Sequence, residues 1–129
     1  MTHPRPNRHA PLKVLLVDDE EGVRLTVKFM LEMLGFEVQV ASTGDEALLM
    51  GQAGTLDVQL VISDFMMPGV DGVETLQRLQ GSYPGVKSIL CSGHPRMECL
   101  KGRTLGNCIY LGKPFGLKDL DAAVDLALG

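Results

Sequence analysis

The chain has 129 residues, 45% of them hydrophobic and 22% charged. At about 100–200 residues per domain that is one domain, with no room inside it for a second effector module, and the composition excludes a disordered chain. Twelve basic against 16 acidic residues leave a net charge of −4, which argues against direct, electrostatically driven binding to nucleic acid. No apolar run approaches the roughly 18 residues of a membrane-crossing helix, so no membrane insertion is expected. The three cysteines, Cys91, Cys99 and Cys108, lack C-x-x-C spacing. Neither a disulfide framework nor a structural zinc site is expected from them, and a reducing, cytoplasmic compartment is.

In chain order, residues 1–11 (MTHPRPNRHAP) are polar, proline-rich and without periodicity. They are expected to form a flexible tail ahead of a domain over 12–129. Continuous apolar runs occur at 14–17, 58–62 and 88–91, the pattern of parallel strands covered on both faces. Residues 37–41 (EVQVA) and 109–111 (IYL) alternate instead, as edge strands do. Helices fit the gaps. Val23, Val27, Met30, Leu31 and Leu34 make one apolar stripe, and Gly35 supplies a left-handed stop. Thr43 with Glu46, and Asp71 with Glu74, have capping-box spacing. Residues 95–101 are only weakly helical, and Leu117, Leu120, Val124, Ala127 and Leu128 line one side of a last helix.

Five βα units with right-handed crossovers predict an α/β fold, a doubly wound five-stranded parallel sheet with helices on both faces. The order 2-1-3-4-5 puts the alternating second strand at an edge.

In such sheets ligands bind beyond the carboxyl ends of the strands, where the winding direction switches. The first strand ends in Asp18-Asp19, the third in Asp64, the fourth in Ser92 and the fifth runs into Lys113-Pro114. Taken singly, Asp18-Asp19 is a helix cap, Asp64 and Ser92 are turn residues and Lys113 a surface charge. Their joint placement at four strand ends points to chemistry instead. Two like charges about 4 Å apart repel by about 4 kcal/mol at an effective dielectric near 20. Lys113 offsets only one of three acids, and a hard divalent cation with oxygen ligands, Mg²⁺ above all, would offset the rest. A carboxylate beside such an ion can attack phosphorus to give an acyl phosphate. Lys113 and the Ser92 hydroxyl would then share the charge on the transferred group.

With these residues in place the sequence resembles a response-regulator receiver domain of two-component signalling. The motifs are VLLVDDE (14–20), LVISDFMMPGVDG (60–72), ILCSG (89–93) and IYLGKPF (109–115). The resemblance implies a flavodoxin-like (βα)5 fold, for which 2-1-3-4-5 is an established order. It implies that Asp64 is the phosphoacceptor, fed by a histidine kinase or phosphotransfer domain. Asp18 and Asp19, Asp64 and the backbone carbonyl of Met66 would hold Mg²⁺. Ser92 would be the switch hydroxyl, Lys113 the phosphoryl-pairing cation, Tyr110 the switch aromatic, and Lys113-Pro114 a cis peptide. Phosphorylation would reshape the face of helix 4, strand 5 and helix 5, which an effector or a second copy reads.

Three features set this chain apart. Serine stands at 92, where threonine is common in the family. Met66 is apolar and cannot orient an attacking water, so rapid self-dephosphorylation aided from that position is not expected. MPGVDG and the CSG turn resemble receivers attached to hybrid histidine kinases. The resemblance also implies no turnover of a separate substrate. Among the alternatives, a dehalogenase-like Mg²⁺ phosphatase would need a D-x-D pair on the first strand, and a flavin phosphate would be repelled by the acids. The nucleotide-binding G-x-x-x-x-G-K-[ST] motif is absent, and a pseudo-receiver used only for docking would not need every phosphorylation position filled.

Overall fold

The computed structural model describes residues 12–129, so the expected tail at 1–11 lies outside the described residues. Strands β1 (Lys13–Val17), β2 (Glu37–Ala41), β3 (Leu60–Asp64), β4 (Lys87–Ser92) and β5 (Ile109–Gly112) alternate with helices α1 (Glu21–Met33), α2 (Gly44–Gln52), α3 (Gly72–Ser82), α4 (Arg96–Leu100) and α5 (Leu117–Leu128). The strands form one parallel sheet in the order β2-β1-β3-β4-β5. This is the doubly wound sheet and strand order that the apolar runs predict.

Side chains alternate across each strand, which splits the core in two. Val14, Leu16, Leu60, Ile62, Ile89 and Cys91 pack with Val27 and Leu31 of α1 and Leu120 and Val124 of α5. Leu15, Val17, Val61 and Leu90 pack on the other face with Ala47 of α2, Leu76 of α3 and Cys99 of α4. Both faces of the central strands are covered, hence their unbroken apolar runs. Edge strand β2 keeps Glu37, Gln39 and Val40 exposed and buries only Ala41 fully.

Three local expectations are corrected. The third strand starts at Leu60 rather than Val58. Before it, the Gln59 side chain accepts from the Lys13 backbone N–H (2.8 Å), so an apolar-run rule places the start two residues early. At α2, Thr43 Oγ1 accepts from Glu46 N–H, but the Glu46 carboxylate accepts from Ser42 N–H instead of returning to Thr43. At α3, Asp71 Oδ1 accepts from Glu74 N–H while the Glu74 carboxylate pairs with Arg78. Both caps are thus one-sided. Gly35 does adopt the left-handed conformation, φ +94°, that stops α1.

One glycine decides where the end of β3 sits. Gly72 opens α3 and donates its N–H to the Phe65 carbonyl at 2.8 Å. A Cβ there would lie 2.2 Å from the backbone oxygen of Asp64 and 2.8 Å from Leu90. No rotamer relieves a clash with backbone. Gly72→Ala is expected to cost about 3 kcal/mol, read as a lower urea midpoint, and to shift the amide resonances of residues 64 and 65.

Candidate functional site

A parallel sheet brings all strand carboxyl ends to one edge. Ladder bonds carry on past the ends of the strands and fix the first residues beyond them. Asp18 N–H donates to the Ala41 carbonyl (3.2 Å), Phe65 N–H to Cys91 (2.9 Å) and Lys113 N–H to Ser92 (2.9 Å). Asp18 turns the chain into α1 by accepting from Glu20 N–H at 2.9 Å, and Arg24 Nη1 donates to the Asp18 carbonyl at 2.8 Å. Asp18 is therefore both a turn residue and a member of the acid group. The side chain of Glu20, the residue at the N-cap of α1, makes no capping bond.

Asp18, Asp19 and Asp64 each present a carboxylate oxygen within 4.8 Å of the others. Asp18 and Asp64 are buried and Asp19 is exposed. Lys113 Nζ lies 2.7 Å from Asp64 Oδ1, and the Lys113–Pro114 peptide is cis. A cavity of about 220 Å³ opens over the group, lined by Asp64, Met66, Ser92, His94 and Lys113 among others. Six of the sequence-derived positions thus converge: Asp18, Asp19, Asp64, Met66, Ser92 and Lys113. Tyr110 does not line this cavity. It stands apart on β5, its ring covered by the Arg96 guanidinium of α4 at 5.0 Å.

Burial pushes the Asp18 carboxyl above its ordinary value, and the charges of Asp64 and Asp19 add to that. The Glu20 N–H and Lys113 pull the other way and do not win. Burial alone would lower Lys113, but its hydrogen bond to Asp64 and the charges of Asp64 and Asp18 outweigh burial and hold the ammonium protonated. Three acids against one cation leave a negative surplus in a partly desolvated place. The donor set is all hard oxygen, with no thiolate or imidazole in the group, and so fits a hard divalent cation.

The Ser92 hydroxyl is turned toward α4. It accepts from His94 N–H at 2.8 Å and from the Cys99 thiol at 3.3 Å. One further residue escapes a sequence reading. Arg103, just past α4, forms a two-pronged ion pair with Asp71 (3.0 and 2.8 Å) and donates to the Cys99 and Leu100 carbonyls. It ties the end of α4 to the start of α3, and hence to the loop after Asp64. The Asp71-x-x-Glu74 spacing signals the cap, but no spacing rule pairs residues 32 apart.

The fold is that of a signalling receiver. Residues 14–125 match the family model described as response regulator receiver domain. The transcriptional regulatory protein TrcR of Mycobacterium tuberculosis (strain ATCC 25618 / H37Rv) is 36% identical over 114 residues, 88% of this chain and 44% of TrcR. The sensor kinase CckA of Brucella abortus (strain 2308) is 38% identical over 115 residues, 86% of this chain and 12% of CckA. Among solved structures, the chemotaxis protein CheY4 of Vibrio cholerae superposes with a TM-score of 0.81 at 28% identity, covering 92% of this chain and 99% of that one. The chain belongs to the response-regulator receiver family. It spans less than half the length of either curated relative. Among the described residues, no helix is long and apolar enough to cross a membrane.

The Asp71–Arg103 pair also makes a pH prediction. Burial alone would raise Asp71, but the Arg103 hydrogen bonds and charge, with the Glu74 N–H, hold it below its ordinary 3.8. A depressed carboxyl contributes stability that is complete above the unfolded value and lost as pH falls through the lower folded one. Asp71→Asn keeps the cap and loses the ion pair. It is expected to cost about 1–2 kcal/mol from neutral pH down to 3.8, with the gap to wild type closing below that in urea titrations.

Proposed function

We propose that this receiver accepts a phosphoryl group on Asp64 in a Mg²⁺-dependent reaction, from the phosphohistidine of a histidine kinase or phosphotransfer domain. The observation that carries the reading is the meeting of three carboxylates within 4.8 Å with Lys113 2.7 Å from Asp64, beneath an open cavity. Asp19, Asp64 and the Met66 carbonyl would hold the ion, with Asp18 acting partly through water. When bound, the ion draws charge from the phosphoryl oxygens and offsets the acid surplus.

The Asp64 carboxylate attacks phosphorus as the P–N bond to the donor imidazole breaks, and the imidazole keeps the bonding electrons. Lys113 then exchanges its contact with Asp64 for one to a phosphoryl oxygen, where roughly two negative charges have arrived. Ser92 turns inward and donates to a second oxygen. Its loop moves with it, and Tyr110 enters the space released, changing the face of α4, β5 and α5 that an effector or a second copy reads. The short α4 suits a segment that shifts at low cost. No separate substrate is turned over. Kinship with both a transcriptional regulator and a sensor kinase supports a module of phosphorelay signalling, and we place it in the cytoplasm.

Incubation with acetyl phosphate and Mg²⁺ should add one acid-stable, base-labile phosphate, seen as a single mass increment and lost in Asp64→Asn. Labelling that persists in that variant, or proceeds with chelator present, would refute the assignment. A second outcome concerns lifetime. Met66 is 63% exposed at the cavity lip and has no polar group to hold an attacking water. The phosphate should therefore outlast seconds after removal of the donor, measured by the decay of the phosphorylated mass.

A further inference from the structure

Ser92 and Cys99 meet in a way that the proposed switching step must undo. Cys99 is fully buried in α4. Its thiol donates to Ser92 Oγ across 3.3 Å, closer than the His94 carbonyl at 3.8 Å. His94 N–H donates to the same oxygen at 2.8 Å. A hydroxyl oxygen has two lone pairs, and both are thereby taken from the α4 side.

The backbone of Cys99 is fixed as well. Its N–H donates to the Pro95 carbonyl (3.1 Å), and its carbonyl accepts from Arg103 Nη2 (2.8 Å), which is itself gripped by Asp71. The thiol is the last member of a chain of contacts running from the start of α3 through Arg103 to the hydroxyl. Serine makes this contact matter more. Without the γ-methyl of threonine, rotation about χ1 of Ser92 is less restricted, so its orientation depends more on what holds the oxygen.

We propose that Cys99 is a positioning residue of the switch: its thiol holds the Ser92 hydroxyl away from Asp64 and sets how readily that hydroxyl swings to a phosphoryl oxygen. The inference rests on the phosphoacceptor reading above. A contact made only in the resting state lowers the population competent to hold a phosphoryl group, and the apparent affinity for a phosphoryl mimic falls by the same factor. The role differs from packing in its sign. Loss of packing weakens binding or leaves it alone, whereas release of the tether strengthens it.

The test uses the full chain with saturating Mg²⁺, titrated with beryllofluoride and monitored by fluorine NMR, in wild type, Cys99→Ala and Cys99→Ser. A single thiol hydrogen bond is weak, so Cys99→Ala is expected to bind about three-fold more tightly. Cys99→Ser keeps a donor and should bind no more tightly than wild type. The infrared S–H stretch assigned to Cys99, by its loss in Cys99→Ala, should move to higher frequency when beryllofluoride is added, as the bond to Ser92 breaks. Urea titration of each variant measures folding separately. Equal or weaker binding by Cys99→Ala, parallel shifts in both variants, or an unmoved S–H band would overturn the tether. Wild-type protein that binds no beryllofluoride would sink the phosphoacceptor reading and the tether with it, whereas normal wild-type binding with an unchanged Cys99→Ala sinks the tether alone.

Discussion

The ion pair between Lys113 and Asp64 is the interaction on which the rest of the site depends. Asp18 and Asp64 are buried beside each other with Asp19 at the rim, and the sheet gives them no means of moving apart. Ladder bonds fix the backbone at Asp18 and just past Asp64. Burial, with the Asp64 and Asp19 charges adding to it, pushes Asp18 toward protonation. The hydrogen bond to Asp64 and the charges of Asp64 and Asp18 hold Lys113 charged against burial. That negative surplus beside a fixed ammonium is what the proposed divalent cation would offset.

The fold supports that tension by isolating it. Two hydrophobic layers, one under α1 and α5 and one under α2, α3 and α4, hold the central strands rigid. The strained charges occupy only the rim. Gly72 permits the chain to pass within van der Waals contact of Asp64, and the Asp71–Arg103 pair fixes the same loop from outside. By contrast, the five-residue α4 meets β4 and β5 through a thiol on a hydroxyl and a guanidinium over a tyrosine ring. Rigidity on one flank and weak fastening on the other is what a local charge event needs to move one element without unfolding the domain.

A larger cavity of about 720 Å³ lies beside the site, between α1 and the Lys113–Phe115 segment. It shares Lys113 with the acid group. Lys113 thus lines both the anionic pocket and a groove formed with Val23, Val27, Met30 and Phe115.

The sequence by itself determined the layering, because unbroken apolar runs are stable only as strands covered twice, and alternating ones only at an edge. It also determined which side chains stand at the strand ends, since a parallel sheet sends every such end to the same side. Hence Asp18, Asp19, Asp64, Ser92 and Lys113 were legible as one group. Boundaries were less so: Gln59 takes a backbone partner with its side chain, which no hydrophobic pattern records. Only the tertiary structure decided that Glu46 and Glu74 leave their own caps for other partners, that Arg103 reaches Asp71, and that Cys99 rests on Ser92. Glu46 with Ser42 and Glu74 with Arg78 are each four residues apart, whereas the Arg103–Asp71 and Cys99–Ser92 contacts join separate elements. The latter two depend on where packed helices come to rest, and that position is a property of the whole core.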